Sequence, residues 1–172
     1  MIAVYLDVDG VLSPLPAFLV PPESAWKGRW DREDIAGFRD VAFHPAMIGA
    51  LNQAVTRPGV APRWLTSWEE HAPGGFAPAT GLAGRTWPVL DGVIGDAPGD
   101  WWKLRAIRAD VAATAPDAVV WADDELARQE ESTRWLASLD IPTLALSPNE
   151  ALGLTPVHVA QLAAFIDENT DR

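Results

Sequence analysis

A chain of 172 residues is long enough for one domain with one sizeable core, and 48% hydrophobic with 22% charged residues is the composition of an ordinary globular domain. It has no cysteine, which excludes disulfides, zinc-thiolate centres and cysteine nucleophiles together, and its net charge of −11 leaves no electrostatic footprint for a long polyanion. The opening MIAVYLDVDG has no basic leader, and the apolar stretch VLSPLPAFLVPP is proline-broken and too short to span a bilayer. The expectation is a soluble, cytoplasmic protein that does not engage a membrane.

Ile2 to Leu6 is a short apolar, β-rich run, read as a buried strand that ends directly at Asp7. Residues 13–43 read as a long, irregular excursion, interrupted by Pro14, Pro16, Pro21 and Pro22; excursions of this length in a compact domain are usually functional. A helix is predicted from about Pro45 to Val55, with Met47, Ile48, Leu51, Ala54 and Val55 on one face and Pro45 in the first helical position. Arg63 to Thr66 reads as a second strand and residues 72–85 as a loop or very short helix. Trp87 to Ile94 is a candidate third strand, despite Pro88 and Gly92. Asp100 is the expected N-cap of a helix from Trp101 to about Ala113, with Leu104, Ile107 and Val111 inward. Ala118 to Ala122 is a buried strand ending at Asp123 and Asp124, followed by a helix from about Glu125 to Leu139. Thr143 to Leu146 is a further strand, and Thr155 with Pro156 opens a final helix.

Strands alternating with helices predict an α/β fold: a Rossmann-like three-layer sandwich around a central parallel sheet. The chain shows no internal repeat and no linker, so residues 1–172 are expected to form one domain. In such sheets ligands bind beyond the carboxyl ends of the strands. Asp7 and Asp9, Thr66, and Asp123 and Asp124 all fall at or just past predicted strand ends.

Asp7 and Asp9 are two apart, so in an extended chain they project to the same side. Two ionised carboxylates so close repel, and burial makes the repulsion costly. A magnesium ion relieves it, because Mg2+ takes oxygen ligands and binds through one or two carboxylates plus water and substrate phosphate. Thr66, with Ser67 behind it, offers hydroxyl donors to a phosphate; its structural alternative is a cap or loop hydroxyl. Lys103 lies in the first turn of a predicted helix, where the dipole favours anions; its alternative is a surface lysine with a buried stem. Asp123 and Asp124 end a buried strand, where unpaired acids are costly, although one of them could cap the next helix.

The order YLDVDGVL, WLTS, a lysine and VVWADD resembles the four motifs of the haloacid dehalogenase (HAD) superfamily, over Ile2 to about Leu126. The resemblance implies a Mg2+-dependent phosphatase that hydrolyses a phosphomonoester through an aspartyl-phosphate. Asp7 would be the nucleophile. Asp9 would be the general acid and base and would ligate the metal through its backbone carbonyl. Thr66 with Ser67 would bind the phosphoryl group, and Lys103 would bridge it to the nucleophile. Asp124 would be the direct metal ligand of the pair, with Asp123 behind it or acting through water. No full cap domain is expected, only a flap in residues 13–43, whose Trp26 and Trp30 could close over a small substrate. More loosely, WLTSWEEHA, VVWADDEL and GLTPVHVAQL are similar to HAD domains of multidomain RNA-repair proteins, which suggests nucleotide-like substrates; a nucleic-acid end is disfavoured by the acidic charge. A nucleotidase, polynucleotide-end phosphatase or phosphotransferase is the alternative within enzymes. A catalytically silent binding module is the alternative outside them.

Other features are read as structural. Trp64, Trp121 and Trp135 are expected in the core, and Trp68 either packs or stacks on a substrate. Asp91, Asp96 and Asp100 match no calcium loop. Of His44, His71 and His158, only His71 lies near a motif in sequence.

Overall fold

The computed structural model of the chain describes residues 1–15, 26–90 and 101–170. Its centre is a parallel sheet of strands β1 (Ile2–Leu6), β4 (Val60–Trp64), β5 (Ala118–Ala122) and β6 (Thr143–Leu146), in the order β4-β1-β5-β6. β1 pairs on one side with β4 and on the other with β5, so the chain reverses its direction of winding around β1. That reversal opens a crevice at the carboxyl end of β1, where α/β sheets bind ligands.

Both faces of the sheet are buried, and the two-residue period divides the strands between two cores. Ile2, Val4 and Leu6 of β1, with Ala118, Val120 and Ala122 of β5, pack under helices α1 (Pro45–Val55) and α5 (Pro156–Asn169). Ala3, Tyr5, Val119 and Trp121 face the opposite layer, with α3 (Trp102–Thr114) and α4 (Glu130–Ala137). The expected three-layer α/β sandwich is therefore what forms. No helix among the described residues is long and apolar enough to cross a membrane.

The helix starts follow from their sequences. His44 caps α1, its Nδ1 accepting from the Ala46 N–H at 3.2 Å, with Pro45 in the first turn. Thr155 and His158 form a reciprocal capping box on α5, again with proline in the first turn.

Several elements differ from the sequence expectation. The excursion is not wholly irregular: β2 (Asp31–Ile35) and β3 (Phe38–Phe43) form an antiparallel hairpin, turning through Ala36 and Gly37, both at positive φ. Its charged residues, such as the Arg32–Asp40 ion pair, hid the strands from a hydrophobic pattern. Trp26 and Trp30 pack around His44 at the root of the hairpin, with centroid separations of 5.9 and 5.4 Å. The strand expected at Trp87–Ile94 is reduced to a single bridge between Val89 and Trp64, with residues 91–94 outside the described residues. Residues 72–80 agree with the expected very short helix: a π-helical turn (Ala72–Phe76) runs into the short α2 (Ala77–Thr80). The helix expected from Glu125 is broken into a 3-10 turn at Leu126–Arg128 and α4. The expected cap Asp100, with Asp91 and Asp96, lies outside the described residues.

On the α3 side, Arg63 of β4 and Tyr5 of β1 converge on Asp110 of α3. The Tyr5 hydroxyl donates to Asp110 Oδ2 at 2.6 Å, and Arg63 Nε lies 2.6 Å from the same oxygen. Burial, then the Asp110 carboxylate, raises the Tyr5 pKa well above its ordinary value, so the phenol stays protonated and donates. The trio ties α3 to two strands. Removing one partner of a buried ion pair leaves a charge uncompensated, so Arg63→Met is expected to lower stability by about 3 kcal/mol, read as a reduced urea midpoint in equilibrium unfolding.

Candidate active site

The strand register builds the site. Leu6 pairs with Ala122, so the next residues, Asp7 and Asp123, stand side by side, joined by the Asp7 N–H donating to the Ala122 carbonyl at 3.2 Å. Both continue the alternation of Ala3, Tyr5, Val119 and Trp121, which assigns them to the α3 side. Lys103, in the first turn of α3, is buried there and ion-pairs with both: with Asp7 Oδ2, and with Asp123 Oδ2 at 2.6 Å. Its ammonium also lies 5.5 Å from the Trp101 ring centroid and 5.6 Å from that of Trp102. Trp101 in turn stacks on Trp121 of β5.

After Asp7 the chain coils tightly. The Val8 carbonyl accepts from Val11, Leu12 and Ser13, and Gly10 donates to Ser13. Gly10 has φ +67°, and a Cβ there would lie 2.6 Å from Asp124 Cγ. Glycine is thus required twice, by the backbone conformation and by the carboxylate packed against it.

Asp7, Asp9, Ser67, Lys103 and Asp124 line one cavity of about 260 Å³, with Leu15, Trp102, Glu125, Arg128 and Glu150 completing its wall. Thr66 and Asp123 are buried and are not among the residues that line the cavity. The Thr66 hydroxyl accepts from the Trp68 N–H at 3.3 Å. Both Asp123 oxygens already have partners, Oδ2 at Lys103 and Oδ1 at the Glu125 N–H, 3.0 Å away. Asp124 is the member of the pair that faces the cavity. His71 does not line it and packs edge-on against Phe38.

The electrostatics of the site follow from crowding acids in a partly dry place. Burial, then the charge of Asp7, pushes the Asp123 pKa up to about 7 against the pull of Lys103. Asp124 is raised by burial, then by Asp7 and Glu125. Asp9 is raised by burial, with the Trp68 hydrogen bond opposing. Burial works against the Lys103 charge, but Asp7 and Asp123 outweigh it and hold its pKa above the ordinary lysine value. Carboxyl oxygens of Asp7, Asp123 and Asp124 lie within 4.8 Å of one another. A set of oxygen donors carrying more negative charge than Lys103 offsets fits a hard divalent cation such as Mg2+.

Five residues of the cavity wall were not singled out from the sequence as site residues: Leu15, Trp102, Glu125, Arg128 and Glu150. Arg128, at the cavity mouth, lies 3.5 Å from Asp124 and 3.8 Å from both Glu125 and Glu150; its spacing of four from Asp124 was the available signal. Trp102 and Glu150 carried none. Trp68 packs rather than facing the cavity, and its indole N–H donates to Asp9 Oδ2 at 3.0 Å.

Comparison with known families gives a match to the HAD domain in Swiss Army Knife RNA repair proteins, over residues 3–159. No curated protein and no solved structure matches the chain.

Gly10→Ala is expected to displace Asp124 and to weaken Mg2+ binding about tenfold or more. The check is the Mg2+ concentration needed for half-maximal thermal stabilisation, compared with that of the unmodified chain.

Proposed function

Because the chain belongs to the family of HAD domains found in Swiss Army Knife RNA repair proteins, we propose that it is a Mg2+-dependent phosphatase acting through an aspartyl-phosphate on Asp7. The observation that carries the reading is the Asp7 carboxylate, held by Lys103 at the carboxyl end of β1 and opening on the cavity that Asp9 and Asp124 also line. A binding module has no use for a nucleophile, an acid and a buried lysine gathered at one cavity.

In this mechanism the Asp7 carboxylate attacks phosphorus in line and the leaving oxygen departs on the opposite side. Asp9 donates its proton to that oxygen, then takes a proton from the water that hydrolyses the aspartyl-phosphate. The Asp9 pKa is raised, chiefly by burial, which is the direction that suits the first role. Lys103 offsets charge on the phosphoryl oxygens, and Thr66 and Ser67 supply hydroxyls to them. Asp7, Asp124 and the Asp9 carbonyl would hold the Mg2+, with Asp123 holding Lys103 behind them. The cation would neutralise charge on the phosphoryl group and on the carboxylates around it.

A phosphorylated nucleic-acid end is the second reading, and the family description favours it. Among the described residues the segment after β1 forms a hairpin flap and no cap domain, which leaves room for a bulky phosphoester. The net charge of −11 limits such contact to the terminal nucleotides, because a longer polyanion is repelled.

Phosphate release from para-nitrophenyl phosphate, nucleotides and 3′- or 5′-phosphorylated oligonucleotides tests both readings. Turnover should require Mg2+, cease with a chelator and be abolished in Asp7→Asn. Unchanged kcat in that variant would remove Asp7 from the reaction. Asp9→Asn is expected to reduce kcat about 100-fold or more while Mg2+ still stabilises the protein against heat. Loss of that stabilisation would show that the Asp9 side chain, rather than its carbonyl, holds the metal.

A further inference from the structure

We propose that Trp68 is a positioning residue for Asp9, and that the flap holds Trp68 in place through Phe38. This rests on the reading of Asp9 as the acid and base. Trp68 is 2% exposed, and its indole donates to Asp9 Oδ2 at 3.0 Å, so a single bond joins the segment after Thr66 to the turn after β1. The terminal torsion of an aspartate is otherwise broad, and a fixed donor on one oxygen sets the plane of the carboxyl. An indole N–H is a donor only. It is best faced by an unprotonated Oδ2, the stronger acceptor, which leaves Oδ1 as the oxygen favoured to carry the proton that Asp9 gives and takes back. Trp68 thereby selects which oxygen is presented to the leaving group.

The plane of Trp68 is set in turn. Phe38 lies parallel to it, with centroids 3.9 Å apart and an interplanar angle of 15°, and Phe76 meets it edge-on at 5.6 Å. Phe38 belongs to β3 of the flap and is 37% exposed, so its ring is spent on this contact rather than on the core. The tip of the flap is seated beside it: a Cβ on Gly75, in the π-helical turn, would lie 2.9 Å from the Ala36 Cβ. Lifting the flap would uncover Trp68 and free the carboxyl it holds, which makes flap seating and the orientation of Asp9 one event.

Two measurements test this. The first compares kcat/KM for para-nitrophenyl phosphate, whose leaving group departs without protonation, with that for an alkyl ester, glycerol 2-phosphate, whose leaving group needs the acid. Trp68→Phe keeps the stack and deletes the N–H. It is expected to lower kcat/KM about tenfold for the alkyl ester and distinctly less for the aryl ester, with no further loss when combined with Asp9→Asn. Phe38→Leu should move both in the same direction. Equal losses on the two esters, or fully additive losses with Asp9→Asn, would overturn the proposal. The second measurement does not depend on turnover. The Trp68 indole N–H resonance, identified by its disappearance in Trp68→Phe, should shift upfield in Asp9→Asn and also move in Phe38→Leu. A resonance unmoved in Asp9→Asn overturns the proposal whatever the activity. If the unmodified chain hydrolysed neither ester while the resonance moved as expected, the phosphatase reading would fall and the Trp68–Asp9 link would stand.

Discussion

The ammonium of Lys103 sits between Asp7 and Asp123, and the arrangement of the site depends on it. The parallel register of β1 and β5 brings the two carboxylates together, an arrangement that repulsion and desolvation both oppose. Lys103 is the counter-charge that makes the register tolerable, and it is available only because α3 begins where it does. α3 is in turn anchored two turns further on, where Asp110 receives both Tyr5 and Arg63. A sheet, a helix and a buried trio therefore serve one contact.

Lys103 does not complete the balance. Asp124 is pressed against Gly10 and raised in pKa by burial and then by its acidic neighbours, and Asp9 is raised by burial. The remaining negative charge is of the kind that a divalent cation would offset. This also separates the roles of the adjacent acids. Asp123, satisfied at both oxygens, holds Lys103, whereas Asp124 is the member of the pair that lines the cavity.

The flap joins this site from the side. Its aromatic content is divided by position: Trp26 and Trp30 build the root around His44, and Phe38 near the tip reaches Trp68. Arg128 is exposed among the carboxylates of Asp124, Glu125 and Glu150 and lines the cavity with them.

Much of the fold was legible in the sequence because its signals are local. β1, β5 and β6 are apolar runs ending in acids or loops, α1 has its apolar face at helical spacing, and α5 opens with Thr155, Pro156 and a stripe of Val159, Leu162 and Ile166. Asp7, Asp9, Ser67, Lys103 and Asp124 were named from the ends of such elements, and the folded chain gathers them at one cavity. The β2–β3 hairpin was missed because β2 (DREDI) is almost wholly charged and Arg39 and Asp40 interrupt the apolar residues of β3, and β4 was set too late because Pro62 interrupts its apolar start. What only the tertiary structure decided is which side chains meet. Asp9 with Trp68, Phe38 with Trp68, Arg63 with Asp110, and Gly10 against Asp124 are contacts between residues distant along the chain. Sequence alone determines a residue's chemistry and its periodicity. The strand register and the helix docking, which set distances across the sheet, exist only once the core has closed.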